Sequence, residues 1–131
     1  MITQEQFKEA SERKDALKRY LDIDNKKIEV EEEELRTHVA DFWDDREKAE
    51  TQMRKIKELH FWIDEYEELE KMTEELVLAF DFLKEELVTE EEIDALYARL
   101  IDKIEKLELR NMLRREEDKL GVVLKINSGA G

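Results

Sequence analysis

The first 120 residues contain neither proline nor glycine; glycine appears only at 121, 129 and 131. Such a stretch lacks the ring that breaks a helix and the flexible residue that most readily ends one. The composition points the same way. With 46% of residues charged and Glu, Lys, Leu and Arg abundant, it is the composition of long helices or a coiled-coil bundle. Disorder is the competing reading for so charged a chain, but an apolar fraction of 40% in regular spacing argues against it. A length of 131 residues allows one domain with a modest core.

Start signals divide the chain. Thr3 with Gln6 reads as a capping box, in which each side chain satisfies a free backbone N–H of the first turn. Phe7, Ala10, Leu17 and Leu21 then form a helical stripe. Good N-cap residues cluster between Asp22 and Asn25, and a second helix is predicted through Ile28 and Leu35. Its run from Glu29 to Glu34 is mostly acid, so only a narrow stripe can be buried. The pattern breaks from Thr37 to Asp44, and Asp44 with Glu47 reads as the next capping box. A very long helix follows to about Leu87. Its seam is Ala49, Met53, Ile56, Leu59, Ile63, Tyr66, Leu69, Met72, Leu76, Phe80, Leu83 and Leu87, stepping near the period of a left-handed coiled coil. Thr89 with Glu92 caps a last helix with the stripe Ile93, Tyr97, Leu100, Ile104 and Leu107. The short link makes these two helices antiparallel neighbours. Gly121 is expected to end the last helix, and the β-branched run Val122, Val123, Ile126 to read as a strand. The predicted fold is therefore all-α: an antiparallel bundle with coiled-coil-like long helices over residues 1–120, then a short unpaired strand-like tail over 121–131.

A formal charge of −14 opposes binding to RNA, DNA and anionic lipid headgroups, since phosphate recognition draws on Lys and Arg. A protein partner, itself basic, is the expectation. Without cysteine there is no disulfide or thiolate chemistry, which fits a reducing compartment. The start Met1-Ile2-Thr3-Gln4-Glu5 has neither the basic nor the apolar segment of a signal peptide, and no apolar run approaches a bilayer's thickness. The chain is expected to be soluble, cytoplasmic and without a membrane partner.

No catalytic constellation emerges. His38 and His60 lack the Glu-x-x-His spacing of a di-iron bundle and read as surface or boundary residues. Asp22, Asp24 and Glu33 match part of a calcium loop, but Lys26 and Lys27 stand where an oxygen ligand and a glycine belong. Glu31 to Glu34 read as a solvated face rather than a pocket that would tune carboxylates for acid–base work. Ser11, Ser128 and the threonines have no adjacent base, and Ser128-Gly129-Ala130-Gly131 is not a phosphate loop. Catalytic, cofactor and metal residues are all expected to be none. Around His60-Phe61-Trp62-Ile63 and Leu76-Val77-Leu78-Ala79-Phe80 the helix is apolar almost all round, which predicts more than one neighbour and favours core packing over an exposed patch.

Four stretches in order carry a resemblance: Arg19-Tyr20-Leu21-Asp22, Asp41-Phe42-Trp43-Asp44-Asp45 with Lys48-Ala49, Leu107-Glu108-Leu109-Arg110-Asn111-Met112-Leu113, and Ile126-Asn127-Ser128-Gly129-Ala130-Gly131. Together they resemble the N-terminal helical region of the bacterial class I peptide chain release factors, of the release factor 2 type. The resemblance implies that a mixed α/β body follows, beginning in residues 121–131. It places the family's stop-codon-reading tripeptide and Gly-Gly-Gln hydrolysis motif further on; neither occurs in this chain. It implies a positioning role, reaching ribosomal protein at the base of the large-subunit stalk. It also implies that the Leu21–Asp22 junction corresponds to the in-frame UGA that many such genes bypass by a +1 frameshift. Two other classes stay open at this point: a free-standing acidic coiled-coil adaptor or scaffold, and a helical enzyme or metal protein.

Overall fold

The computed structural model describes the backbone of residues 1–130 and the side chains of residues 1–121. Four helices follow one another: α1 (Gln4–Leu21), α2 (Ile23–Arg36), α3 (Arg46–Lys84) and α4 (Glu90–Ala130), with a short 3-10 turn at Phe42–Asp44. No strand occurs among the described residues.

The architecture is a three-helix bundle whose first helical segment is broken in two, α1 and α2. Phe7 meets Phe80 edge to face at 5.7 Å, and further along Lys27 pairs with Glu67 at 3.8 Å and Glu34 contacts His60. Thus α1 and α2 run in succession against the direction of α3. On the other side Lys103 donates to Glu65 at 2.7 Å and Arg110 lies over Phe61, so α4 is also antiparallel to α3. Helix α1 is parallel to α4. Arg13 holds both oxygens of Glu108, and the Ile2 amide donates to Asp94 at 2.9 Å.

The break at Asp22 has a reason in the sequence. A helical stripe continuing from Leu17 and Leu21 would next present Asp24 or Asn25 to the core. Asp22 instead adopts the left-handed region (φ 52°, ψ 52°), which rephases the chain so that Leu21 and Ile23 are both fully buried. Asp and Asn tolerate that region better than other side chains. Here the Asp22 amide donates to the Arg19 carbonyl at 3.1 Å, and Asn25 donates to the Asp22 carboxylate at 2.8 Å.

The capping boxes at Thr3–Gln6 and Thr89–Glu92 form as predicted. The one expected at Asp44–Glu47 does not. The 3-10 turn takes up Asp44, and Asp45, the first residue with extended backbone, caps α3 by accepting from the Lys48 amide at 3.2 Å. Helix α3 also ends earlier than expected, at Lys84. Glu86 takes φ 60°, with the Glu86 amide donating to Leu83 and the Leu87 amide to Phe82. That is a Schellman closure with a non-glycine at its left-handed position.

Two further sequence expectations are corrected. Ile28 and Leu35 do not mark the buried face of α2; they are 57% and 67% exposed, and the inward residues are Ile23, Val30 and Glu33. The kink sets that phase, and periodicity read straight through residue 22 misses it. Nor does Gly121 end α4 or a strand follow: the backbone stays helical to Ala130, and Gly121 has no positive φ. A strand needs a partner for every N–H and C=O, whereas a helix already running adds a residue at little cost.

The main core gathers α1, α3 and α4 around Leu17, Leu21, Tyr66, Leu69, Leu76, Ile93, Leu100 and Ile104, with Trp62 and Leu107 buried at its edge. A separate small cluster of Val30, Ile56, Leu59 and Ile63 joins α2 to α3. The predicted seam holds for most positions, although Met53 and Leu87 are exposed at 41% and 66%. The aromatic stretch has two neighbours, as its all-round apolarity predicted. Further along, Leu76 and Ala79 turn inward but Val77 and Leu78 are exposed.

Candidate partner-binding surfaces

The residues weighed for chemistry are not brought together. His38 is exposed beside Glu31, Glu34 and Leu35 in a shallow hollow. His60 contacts Glu34 across the α2–α3 interface. Asp22 sits in the kink, Asp24 lies 3.9 Å from Lys18, and Glu33 points inward elsewhere, so the calcium-loop spacing has no structural counterpart. Among the described residues no group of three or more His, Cys, Asp or Glu side chains could hold a metal ion. The side chains of Ser128 to Gly131 lie outside the described residues. No helix is long and apolar enough to cross a membrane, among the described residues.

The acid run of α2 is not uniformly solvated. Glu33 is 4% exposed, with one oxygen 3.3 Å from Arg36 and 3.6 Å from Lys55, while the other oxygen is buried without a partner. Lys55 also meets Glu29 at 3.1 Å, and the Glu29 hydrogen bond followed by the Glu33 charge raises the lysine's pKa. This is a structural ion-pair knot that holds α2 to α3 beside the small cluster.

What the bundle does present is charge sorted by position. Residues 67–92 carry eleven acids and two bases. They form the far half of α3, the Schellman turn and the first turn of α4. On this end Val77, Leu78, Phe82 and Leu87 are exposed. The combination is a strongly negative hairpin tip with apolar side chains among its carboxylates.

The opposite half holds a local reversal of that charge. Where α3 and α4 face each other, Arg54, Lys57, Arg110 and Arg114 line one groove, against the carboxylates of Glu58 and Glu117. Arg110 lies over the Phe61 ring at 4.1 Å and Arg114 over Trp62 at 5.2 Å. Arg114 also donates to the Asn111 side chain at 3.0 Å, while its Nε is buried without a partner. None of the four cations makes an ion pair among the described residues. The nearby Lys26 ammonium bonds the Leu21 carbonyl. Its pKa is lowered by burial and then by the charge of Arg114, against Asp22, Glu29 and Glu58 pulling the other way. Net charge hides this groove. The i, i+3 pair on α3 and the i, i+4 pair on α4 are visible in the sequence, but their convergence needs the helix register.

A third surface is the α2–α3 turn, where Leu35, Val39 and Trp43 are exposed and Phe42 meets Trp43 edge to face at 4.8 Å.

Residues 25–131 match the PCRF domain family. The chain is also similar to peptide chain release factor 2 of Staphylococcus haemolyticus, 32% identical over 114 residues. That similarity covers 85% of this chain and 30% of the relative, so the chain spans about a third of the length of the protein it matches. No solved structure matches it significantly.

Proposed function

The chain belongs to the PCRF domain family, and from that premise we propose that residues 1–120 are the helical positioning domain of a release factor of the release factor 2 type. Residues 121–131 open its following domain. The intact protein directs peptide release at UGA and UAA codons in the bacterial cytoplasm. This domain contributes docking and no chemistry. The observation that supports the docking role is the acidic hairpin tip, with Val77, Leu78, Phe82 and Leu87 exposed among eleven acids. Such a surface suits a basic ribosomal protein at the base of the large-subunit stalk. At this end of the molecule RNA would be repelled.

Tethering explains how a modest contact suffices. Once codon and tRNA contacts made by the rest of the factor hold it on the ribosome, the tip meets its partner at high effective concentration. The test is single-turnover peptide release by an intact factor and by one lacking residues 1–118. Association is expected to slow while release at saturating factor stays largely intact. A loss of several orders of magnitude at saturation, with the remaining domains folded, would put this domain in the chemistry and overturn the reading.

A further inference from the structure

We propose that the cationic groove between α3 and α4 binds the phosphate backbone of double-helical RNA. Four adjoining cations without an ion-pair partner among the described residues, against the two carboxylates of Glu58 and Glu117, leave a net positive site in a chain where acids outnumber bases 37 to 23. Stacking on Phe61 and Trp62 holds both guanidinium groups in place, so little side-chain freedom is lost when they engage an anion. A guanidinium fork also matches phosphate oxygens two at a time. The Nε of Arg114 is buried without a partner, and the Arg114 charge helps lower the pKa of Lys26, so positive charge is concentrated at this end although Asp22, Glu29 and Glu58 pull the other way.

The rings decide what kind of contact this is. Trp62 is buried and Arg110 covers Phe61, so neither offers a free face to an unstacked base, as single-strand recognition needs. Backbone contact to a duplex remains. Each cation row spans about one helical turn, roughly 5–6 Å, and a duplex presents one phosphate charge per ~1.7 Å of axis.

The overall charge of −14 does not veto the site. Along α3 at 1.5 Å per residue, residue 57 is about 15 Å from residue 67, where the acidic stretch begins, and about 35 Å from residue 80. Those are roughly two and four Debye lengths at physiological salt, so most of the acidic tip is screened from the groove. Glu58 and Glu117, which line it, are the nearest opposing charges, with Glu29 and Glu33 already paired to Lys55 across the α2–α3 interface. They make the contact weak, and therefore effective when the domain is already held nearby.

The choice of RNA over an acidic peptide rests on the ribosomal reading above; the groove's need for an anion does not. The test is fluorescence anisotropy of the 131-residue chain with a labelled 12-base-pair RNA duplex at low salt, with polyglutamate of equal charge as competitor. Arg110→Glu with Arg114→Glu should weaken binding at least tenfold, and Arg110→Lys with Arg114→Lys by no more than about threefold. Glu58→Gln with Glu117→Gln should tighten it several-fold, a gain that misfolding cannot produce. For three to four phosphate contacts the slope of log K against log salt should be about −3. Binding indifferent to all three double variants, or a slope near zero, overturns the proposal. Polyglutamate competing as well as unlabelled duplex overturns the choice of RNA. Either failure leaves ribosome association through the tip untouched; Val77→Asp with Phe82→Asp reads that separately and should leave RNA binding unchanged.

Discussion

Along one half of its length α3 packs with α1 and α4 around a common core; along the half nearer its start α2 replaces α1, and α4 meets it through the groove of Arg110 and Arg114. The first half buries the thirteen-residue cluster that holds Tyr66, Leu69 and Leu100. The second buries four residues, Val30, Ile56, Leu59 and Ile63, and relies on ion pairs from Glu29 and Glu33 and on the Glu34–His60 hydrogen bond. A pair of helices can cover only one stripe of each, whereas a third helix closes the space between them. The same division separates the acidic tip from the cationic groove. Rigidity and docking chemistry are therefore distributed differently along one continuous helix.

The sharpest way to break this comparison is to remove equal volume from each half. Leu100→Ala should destabilise the chain by about 3–5 kcal/mol, because its site is walled on every side. Leu59→Ala should cost about 2 kcal/mol or less, since a two-helix interface relaxes into the gap more readily. Urea denaturation of both variants measures the difference. Equal losses would mean that α2 and α3 pack as tightly as the three-helix half.

A second test uses Tyr66, which lies in the larger cluster with its pKa pushed up to about 12 by burial first, then by Glu70, Asp15 and Asp24. The folded state keeps the phenol proton after the unfolded chain has lost it at its ordinary value near 10. Stability tied to this group is thus complete below pH 10 and is lost as pH rises toward 12. Two units correspond to roughly 2–3 kcal/mol. Tyr66→Phe should abolish that decline while changing stability at pH 7 by less than about 1 kcal/mol; denaturation series from pH 8 to 12 would show it.

The smallest effects concern the two left-handed residues that delimit the halves. Glu86→Gly should stabilise by about 0.5–1 kcal/mol, because the Schellman turn favours glycine and the glutamate side chain makes no hydrogen bond there. Asp22→Gly should be near neutral, since it loses the Asn25 hydrogen bond as it relieves strain. Thermal unfolding of the two variants ranks them; an equal gain would mean that the Asn25 contact contributes nothing to the kink.

Much of this was legible residue by residue. The glycine- and proline-free stretch, the Thr3 and Thr89 capping boxes and the stripe from Ile93 to Leu107 determine helices, because they depend on neighbours within one or two turns. The long seam of α3 likewise implies a partner on its apolar face. What tertiary structure alone decided are the phase and the register. Leu21 and Ile23 could both reach the core only through a left-handed Asp22, a choice that local propensity opposes and packing of α1 and α2 on α3 enforces. That single rephasing turned Ile28 and Leu35 outward and Glu33 inward. Helix register did the same for charge: the sequence sets a total of −14, but only the antiparallel pairing of α3 with α4 brings Arg54 and Lys57 against Arg110 and Arg114. Hydrogen bonds within a helix are written in the nearest residues, whereas the meeting of two helices depends on how every side chain along both can pack.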